Sequence, residues 1–223
     1  VVAISADGEY IAAGSYVGGK VYLFDKDNST PLWSYAIGGA VRSVAISADG
    51  EYIAAGSNDN NVYFFGKDSN MPHWDYTITS AVMSIAVSAD GEYIVASSKD
   101  FKVYLFEKDN STPLWSYTTG GMVDSVAISA DGEYIAAGSN VGVGEDEGKV
   151  YLFDKDSSTP LWNYTTGTVH SVAISADGEY IVAGIWPYDG DQFSKIYLFD
   201  KDSSTPLWNY TTGYAVFSVA ISA

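Results

Sequence analysis

Apolar residues in this chain come in short runs cut by polar breaks, and the same order of runs returns along its length. Residues 44–47 read Val-Ala-Ile-Ser. A break of Ala48-Asp49-Gly50 follows, then Glu-Tyr-Ile-Ala-Ala-Gly-Ser over 51–57. A third run, Lys-Val-Tyr-Leu-Phe-Asp at 149–154, is separated by Lys155-Asp156-Ser157-Ser158-Thr159-Pro160 from a fourth, Leu-Trp-Asn-Tyr-Thr-Thr at 161–166. Each run has strand length, and each break is built from residues that make tight turns: Asp-Gly between apolar runs, or Asp, Ser and Pro together. The pattern predicts four strands per unit, a to d. Strands a and b carry Ala, Gly and Ser beside Val and Ile. Strands c and d carry Tyr, Leu, Phe and Trp. That gradient fits blades fanned about an axis, with small residues where blades crowd and bulky ones where they diverge. Clean alternation is absent from Tyr-Ile-Ala-Ala-Gly, as expected of a strand covered on both faces.

The hexapeptide SADGEY marks the unit. It stands at 5–10, 47–52, 88–93, 129–134 and 175–180. A period in the forties with four strands is the signature of a β-propeller blade. The expected class is therefore all-β: a β-propeller of four-stranded antiparallel blades, with five full repeats and the first strand of a sixth. The whole of 1–223 reads as a single domain. Because the chain opens and closes on strand a, its ends cannot complete one blade between them. It is expected to be part of a longer propeller of six to eight blades, in preference to a closed five-bladed ring.

Residues 41–65 resemble the WD-repeat unit, with a strand, an Asp-Gly turn, a small-residue strand and a third strand. The usual Trp-Asp ending of that unit is Phe-Asp here, at Phe24-Asp25, Phe153-Asp154 and Phe199-Asp200. The Gly-His pair of that family is missing. Residues 149–167 also resemble the repeats of quinoprotein-like propellers. Both resemblances imply the fold and leave function open, since such folds host many unrelated activities. Part of a quinoprotein-like enzyme, with catalytic residues outside this chain, is one reading they imply.

The turns and strand cores are nearly identical between copies, as expected where each fills the same niche. One strand position is not. Between an unvarying Val and an unvarying Ser stand Arg42, Met83, Asp124, His170 and Phe217. They open strand a, just after the d–a loop. The b–c loops vary too, with an insertion at 140–149 and another at 185–195 carrying Trp186 and Tyr188. Variation thus gathers on the face of the d–a and b–c loops, while SADGEY and the c–d turns share the other. Loops on a rigid scaffold are the usual seat of binding, and exposed aromatics are candidate anchors. Drift at a tolerant position, and a Pro187-stiffened loop packed on its own blade, are the structural alternatives.

Charge narrows the partners. Net charge is −17, so a phosphate backbone would be repelled and nucleic acid is not expected. No apolar run is long enough to span a membrane. There is no Cys, which removes disulfides, thiolate metal sites and cysteine nucleophiles. The two histidines, His73 and His170, stand at non-equivalent positions, and no motif presents a serine to them. The Asp-x-Asp stretch at 25–27 lacks the glycine and distal Glu of a calcium loop and reads as a capped turn. Tryptophan recurs once per strand d, at Trp33, Trp74, Trp115, Trp162 and Trp208, which points to packing and away from a single cofactor site. No cofactor or metal is expected. Four sequons, at Asn28, Asn110, Asn163 and Asn209, and the hydroxyl-rich surface favour an extracellular or cell-surface setting. The expected function is a non-catalytic scaffold that binds a partner protein through Arg42, Met83, Asp124, His170, Phe217, Trp186 and Tyr188. A propeller binding a small molecule or carbohydrate at its channel mouth is the alternative.

Overall fold

The structure is a computed structural model and describes residues 1–140, 147–186 and 193–222. Its regular elements are twenty β-strands in five four-stranded sheets. The first sheet is β1 (Val2–Ile4), β2 (Tyr10–Gly14), β3 (Lys20–Asp25) and β4 (Trp33–Ala36). The second is β5 (Val41–Ile46), β6 (Tyr52–Ser57), β7 (Asn61–Gly66) and β8 (Pro72–Thr77). The third is β9 (Val82–Val87), β10 (Tyr93–Ser98), β11 (Lys102–Glu107) and β12 (Asn110–Thr118). The fourth is β13 (Val123–Ile128), β14 (Tyr134–Ser139), β15 (Gly148–Asp154) and β16 (Trp162–Thr166). The fifth is β17 (Thr168–Ile174), β18 (Tyr180–Trp186), β19 (Lys195–Asp200) and β20 (Trp208–Thr211). Each sheet keeps chain order, so each is a meander of hairpins, as the repeat predicts.

The chain forms two compact units, Val1–Asp100 with Tyr104–Leu114, and Phe101–Val103 with Trp115–Ala223. In the first unit, strand c of the second sheet serves two cores. Tyr63 and Phe65 face the cluster holding Val21, Leu23 and Val41. Val62 and Phe64, on the other side of the pleat, face the cluster holding Val82, Ile94 and Phe106. Burying one such ring completely stabilises the fold by about 2–3 kcal/mol. The second unit repeats the arrangement, with Val150 and Leu152 packed among Val169, Ile181 and Phe199.

Adjacent sheets within a unit are also joined by polar contacts that recur with the repeat. The indole N–H of Trp33 donates to the Lys67 carbonyl and that of Trp74 to Lys108, each at 2.7 Å. Trp115 and Trp162 do the same to Lys155 and Lys201. Ser43 Oγ accepts the Ile85 N–H and Ser125 Oγ the Val172 N–H, both at 3.1 Å. The glycine of strand b explains itself here. A Cβ on Gly56 would overlap Val82, and one on Gly138 would overlap Val169. The stretch 214–222 opens a sixth copy. In it the Val219 N–H donates to Ser171 Oγ at 3.1 Å, as the first strand of a next blade would.

At one end of every blade each residue of SADGEY has a task. In the second copy Ser47 Oγ donates to Asp49 Oδ1 at 2.6 Å and accepts the Tyr52 N–H at 3.0 Å. Asp49 Oδ1 accepts the Glu51 N–H. The Ala48 N–H donates to the Ala89 carbonyl of the next copy. Gly50 holds φ +73°, the left-handed region that side chains disfavour, directly over the Tyr10 ring. Glu51 pairs with Lys67, whose ammonium also lies over the Tyr10 ring at 5.1 Å.

Candidate functional site

The other blade end carries the d–a and b–c loops together, as expected. The Asn58 N–H donates to the Ala40 carbonyl at 2.9 Å, Lys99 to Ala81 at 3.0 Å and Asn140 to Met122 at 2.6 Å. Each of these bonds ties the start of a b–c loop to a d–a loop.

The variable residues have a structural cause that the sequence did not disclose. Pairing of β5 with β6 steps from Val41↔Ser57 to Ser43↔Gly56, which leaves Arg42 as the extra residue of a β-bulge. The same step leaves out Met83 in β9, Asp124 in β13 and His170 in β17. A bulge residue is released from the ladder and its side chain is re-aimed, which is why bulges recur beside binding sites. Four different side chains are thus presented by one backbone device. Phe217 holds the equivalent position in 214–222.

A second set was missed. The residue at the end of strand b varies as well: Tyr16, Lys99 and Trp186, with asparagine twice, at Asn58 and Asn140. Only Trp186 was expected to matter. Its neighbours show that this position completes the first. Arg42 Nε donates to Asn58 Oδ1, and its guanidinium lies 6.0 Å from the Tyr16 ring centroid. Asn140 Nδ2 donates to Asp124 Oδ2 at 3.4 Å, and Asn140 Oδ1 accepts the Thr168 hydroxyl at 2.8 Å. Comparing the copies at this second position would have found the set.

In the second unit the predicted residues converge. His170 Nδ1 lies 3.8 Å from Asp124 Oδ2, an ion pair when the imidazole is protonated. The Trp186 ring stands edge-to-face with His170 at 5.3 Å and with Phe217 at 5.6 Å. His170 and Phe217 are 6.1 Å apart. Exposure rises outward, from 14% of the Asp124 side chain and 29% of His170 to 41% of Trp186 and 70% of Phe217. In the first unit, Arg42 and Met83 occupy their bulges in half-buried positions. Tyr188 and Pro187 lie outside the described residues, as do Glu145 and Asp146.

Part of this end is scaffold. Asp59 accepts from the Gly38 and Asn61 N–H groups and from the Tyr63 hydroxyl at 2.8 Å. Asp100 accepts from the Tyr104 hydroxyl at 2.6 Å. Burial, reinforced by the neighbouring carboxylate, pushes both phenols well above the ordinary tyrosine range, so both stay protonated. His73 stands edge-on to Tyr52 and Phe64 and serves packing. Among the described residues no group of three or more His, Asp or Glu is placed to hold a metal ion. Nor does any helix among them have the length and apolarity to cross a membrane.

Five meandering four-stranded sheets, with indole and serine contacts that recur with the repeat, define an all-β propeller. The protein belongs to the PQQ_2 family, described as outer membrane protein assembly factor BamB, whose model matches residues 17–177. No curated protein matches the sequence. A chain of a mitotic checkpoint complex structure superposes with a TM-score of 0.81 at 18% identity, over 99% of this chain and 70% of that one. A chain of Kuenenia stuttgartiensis hydrazine synthase gives 0.74 at 16%, over 89% of this chain and 62% of that one. At these identities the likeness is one of fold. The WD-like and PQQ-like resemblances read from the sequence thus meet in one architecture.

Proposed function

We propose that the protein is a non-catalytic propeller scaffold that binds a partner protein through the blade ends carrying the d–a and b–c loops. One observation carries this reading. Side chains that differ from copy to copy are released from the ladder by bulges, and in the second unit two of them, Asp124 and His170, gather with Trp186 and Phe217 into a partly exposed cluster. Aromatic side chains that are half open and fixed by their neighbours are the usual anchors of protein interfaces. The family description names an assembly factor, and one structural neighbour comes from a multiprotein complex, which supports a role in assembly.

The test is affinity purification with this chain as bait from the organism that makes it, followed by affinity measurement on the recovered protein. Trp186→Ala and Phe217→Ala should each weaken that complex about tenfold or more, the scale of interface anchors. Asp131→Ala, in a SADGEY turn, should lower stability and leave affinity unchanged. Equal losses from both kinds of variant would overturn the reading. A small molecule or carbohydrate that raises the melting temperature, and loses that effect in Trp186→Ala, would replace it with the channel-mouth alternative.

A further inference from the structure

The cluster in the second unit has a chemistry of its own. Two of its rings, Trp186 and Phe217, are 41% and 70% exposed and stand edge-to-face at 72°. In such a pair the ring that offers its edge keeps both of its π faces clear of its partner, and π faces carry negative charge density. The Asp124 carboxylate, held by Asn140, lies 3.8 Å from His170, whose ring in turn stands 5.3 Å from Trp186 and 6.1 Å from Phe217. A cation seated against the rings would meet a ring quadrupole and a carboxylate together, in the field of a chain of net charge −17.

The first unit shows the same pair of positions already filled. There the residue past strand b is Tyr16 and the next copy's bulge residue is Arg42, whose guanidinium lies 6.0 Å from the Tyr16 ring centroid. At the corresponding pair in the second unit stand Trp186 and Phe217, two aromatics and no cation. Among the described residues no Lys or Arg lies over either ring. We infer that this cluster takes its cation from outside: a lysine or arginine side chain of a basic segment of a partner protein. The inference rests on the partner-binding reading above and specifies what that partner presents.

The test uses the full chain, 15N-labelled, titrated with an acetylated and amidated tetra-lysine peptide and its tetra-arginine counterpart. The Trp186 indole signal, identified by its loss in Trp186→Leu, should shift together with the amides of Asp124 and His170. Affinity should fall about tenfold in Trp186→Leu and about fivefold in Asp124→Asn, the range expected for one cation–π contact and one ion pair. It should not change in Asp27→Asn, at the opposite blade end. Tetra-glutamate should shift none of these signals. Peptide shifts that map elsewhere, or affinity unchanged in both Trp186→Leu and Asp124→Asn, would overturn the inference. So would tetramethylammonium binding as tightly as the peptides, which would make the site one for small cations. Asp124→Asn counts only if its melting temperature matches that of the parent; otherwise Trp186→Leu decides. If Trp186→Ala breaks the purified complex while basic peptides leave the indole unmoved, the basic segment is wrong and partner binding stands. If rim variants leave the complex intact, the partner-binding reading itself fails.

Discussion

The two ends of each blade are built from opposite materials. At the SADGEY end the same six residues do the same work five times: serine and aspartate close the turn, glycine takes the left-handed conformation, and glutamate pairs with lysine. At the bulge end the backbone is equally regular, but Arg42, Met83, Asp124 and His170 share only their position. Uniform chemistry follows where every residue contacts a copy of the same neighbour. Variety is tolerated where the ladder has let a residue go. Regular backbone with irregular side chains is what a scaffold needs to present one distinct surface.

The sharpest way to break this contrast is at a turn glycine. Gly91 holds φ +74°, and a side chain there would overlap the Tyr52 ring. Gly91→Val should cost about 3 kcal/mol in urea unfolding, from backbone strain and overpacking together. A loss below about 1 kcal/mol would mean that the turn is not the fixed end. Next comes Asp59→Ala, which tests whether the bulge end is wholly free. It removes the acceptor of two loop N–H groups and of the buried Tyr63 hydroxyl, and should cost about 2 kcal/mol. That places a rigid frame beneath the variable side chains.

Acid separates the ends further. Hydrogen bonds from the Ser175 hydroxyl and the Glu179 N–H hold the Asp177 carboxyl below its ordinary value of 3.8, and Ser5 and Glu9 do the same for Asp7. A lowered folded-state pKa contributes stability that is fully present above 3.8 and is lost as pH falls through the lowered value. Urea midpoints should therefore drop as pH falls from 5 to 2, and Asp177→Asn should make that drop shallower. The smallest effect belongs to the bulge residues. Arg42→Ala and Met83→Ala should each change stability by about 0.5 kcal/mol or less. A loss near that of Gly91→Val would show that these residues are packing elements and not a presented surface.

Much of this was legible from the residues alone. The hexapeptide fixed the repeat, and the size gradient placed small strands against each other; Gly56 against Val82 is that gradient at contact distance. Four of the recurring tryptophans, Trp33, Trp74, Trp115 and Trp162, pack as read, though their indole bond to the next copy's lysine carbonyl was not foreseen. The variable strand position was found by comparing copies. Its cause was not, because a bulge is a mismatch between two strands and neither strand carries it by itself. Asn58 and Asn140 were passed over for a similar reason: their partners Arg42 and Asp124 lie sixteen residues away in sequence.

Sequence by itself determined the class, the number of strands in each unit, the turn chemistry and the face on which difference collects. Those follow from local pattern repeated five times, and repetition makes local pattern reliable. Only the tertiary structure decided which of the differing residues meet. Asp124 comes from the fourth copy, His170 and Trp186 from the fifth and Phe217 from the opening of the sixth. Their convergence depends on how one sheet sits against the next and on the bulges that carry Asp124 and His170, and both are properties of pairing and packing between strands.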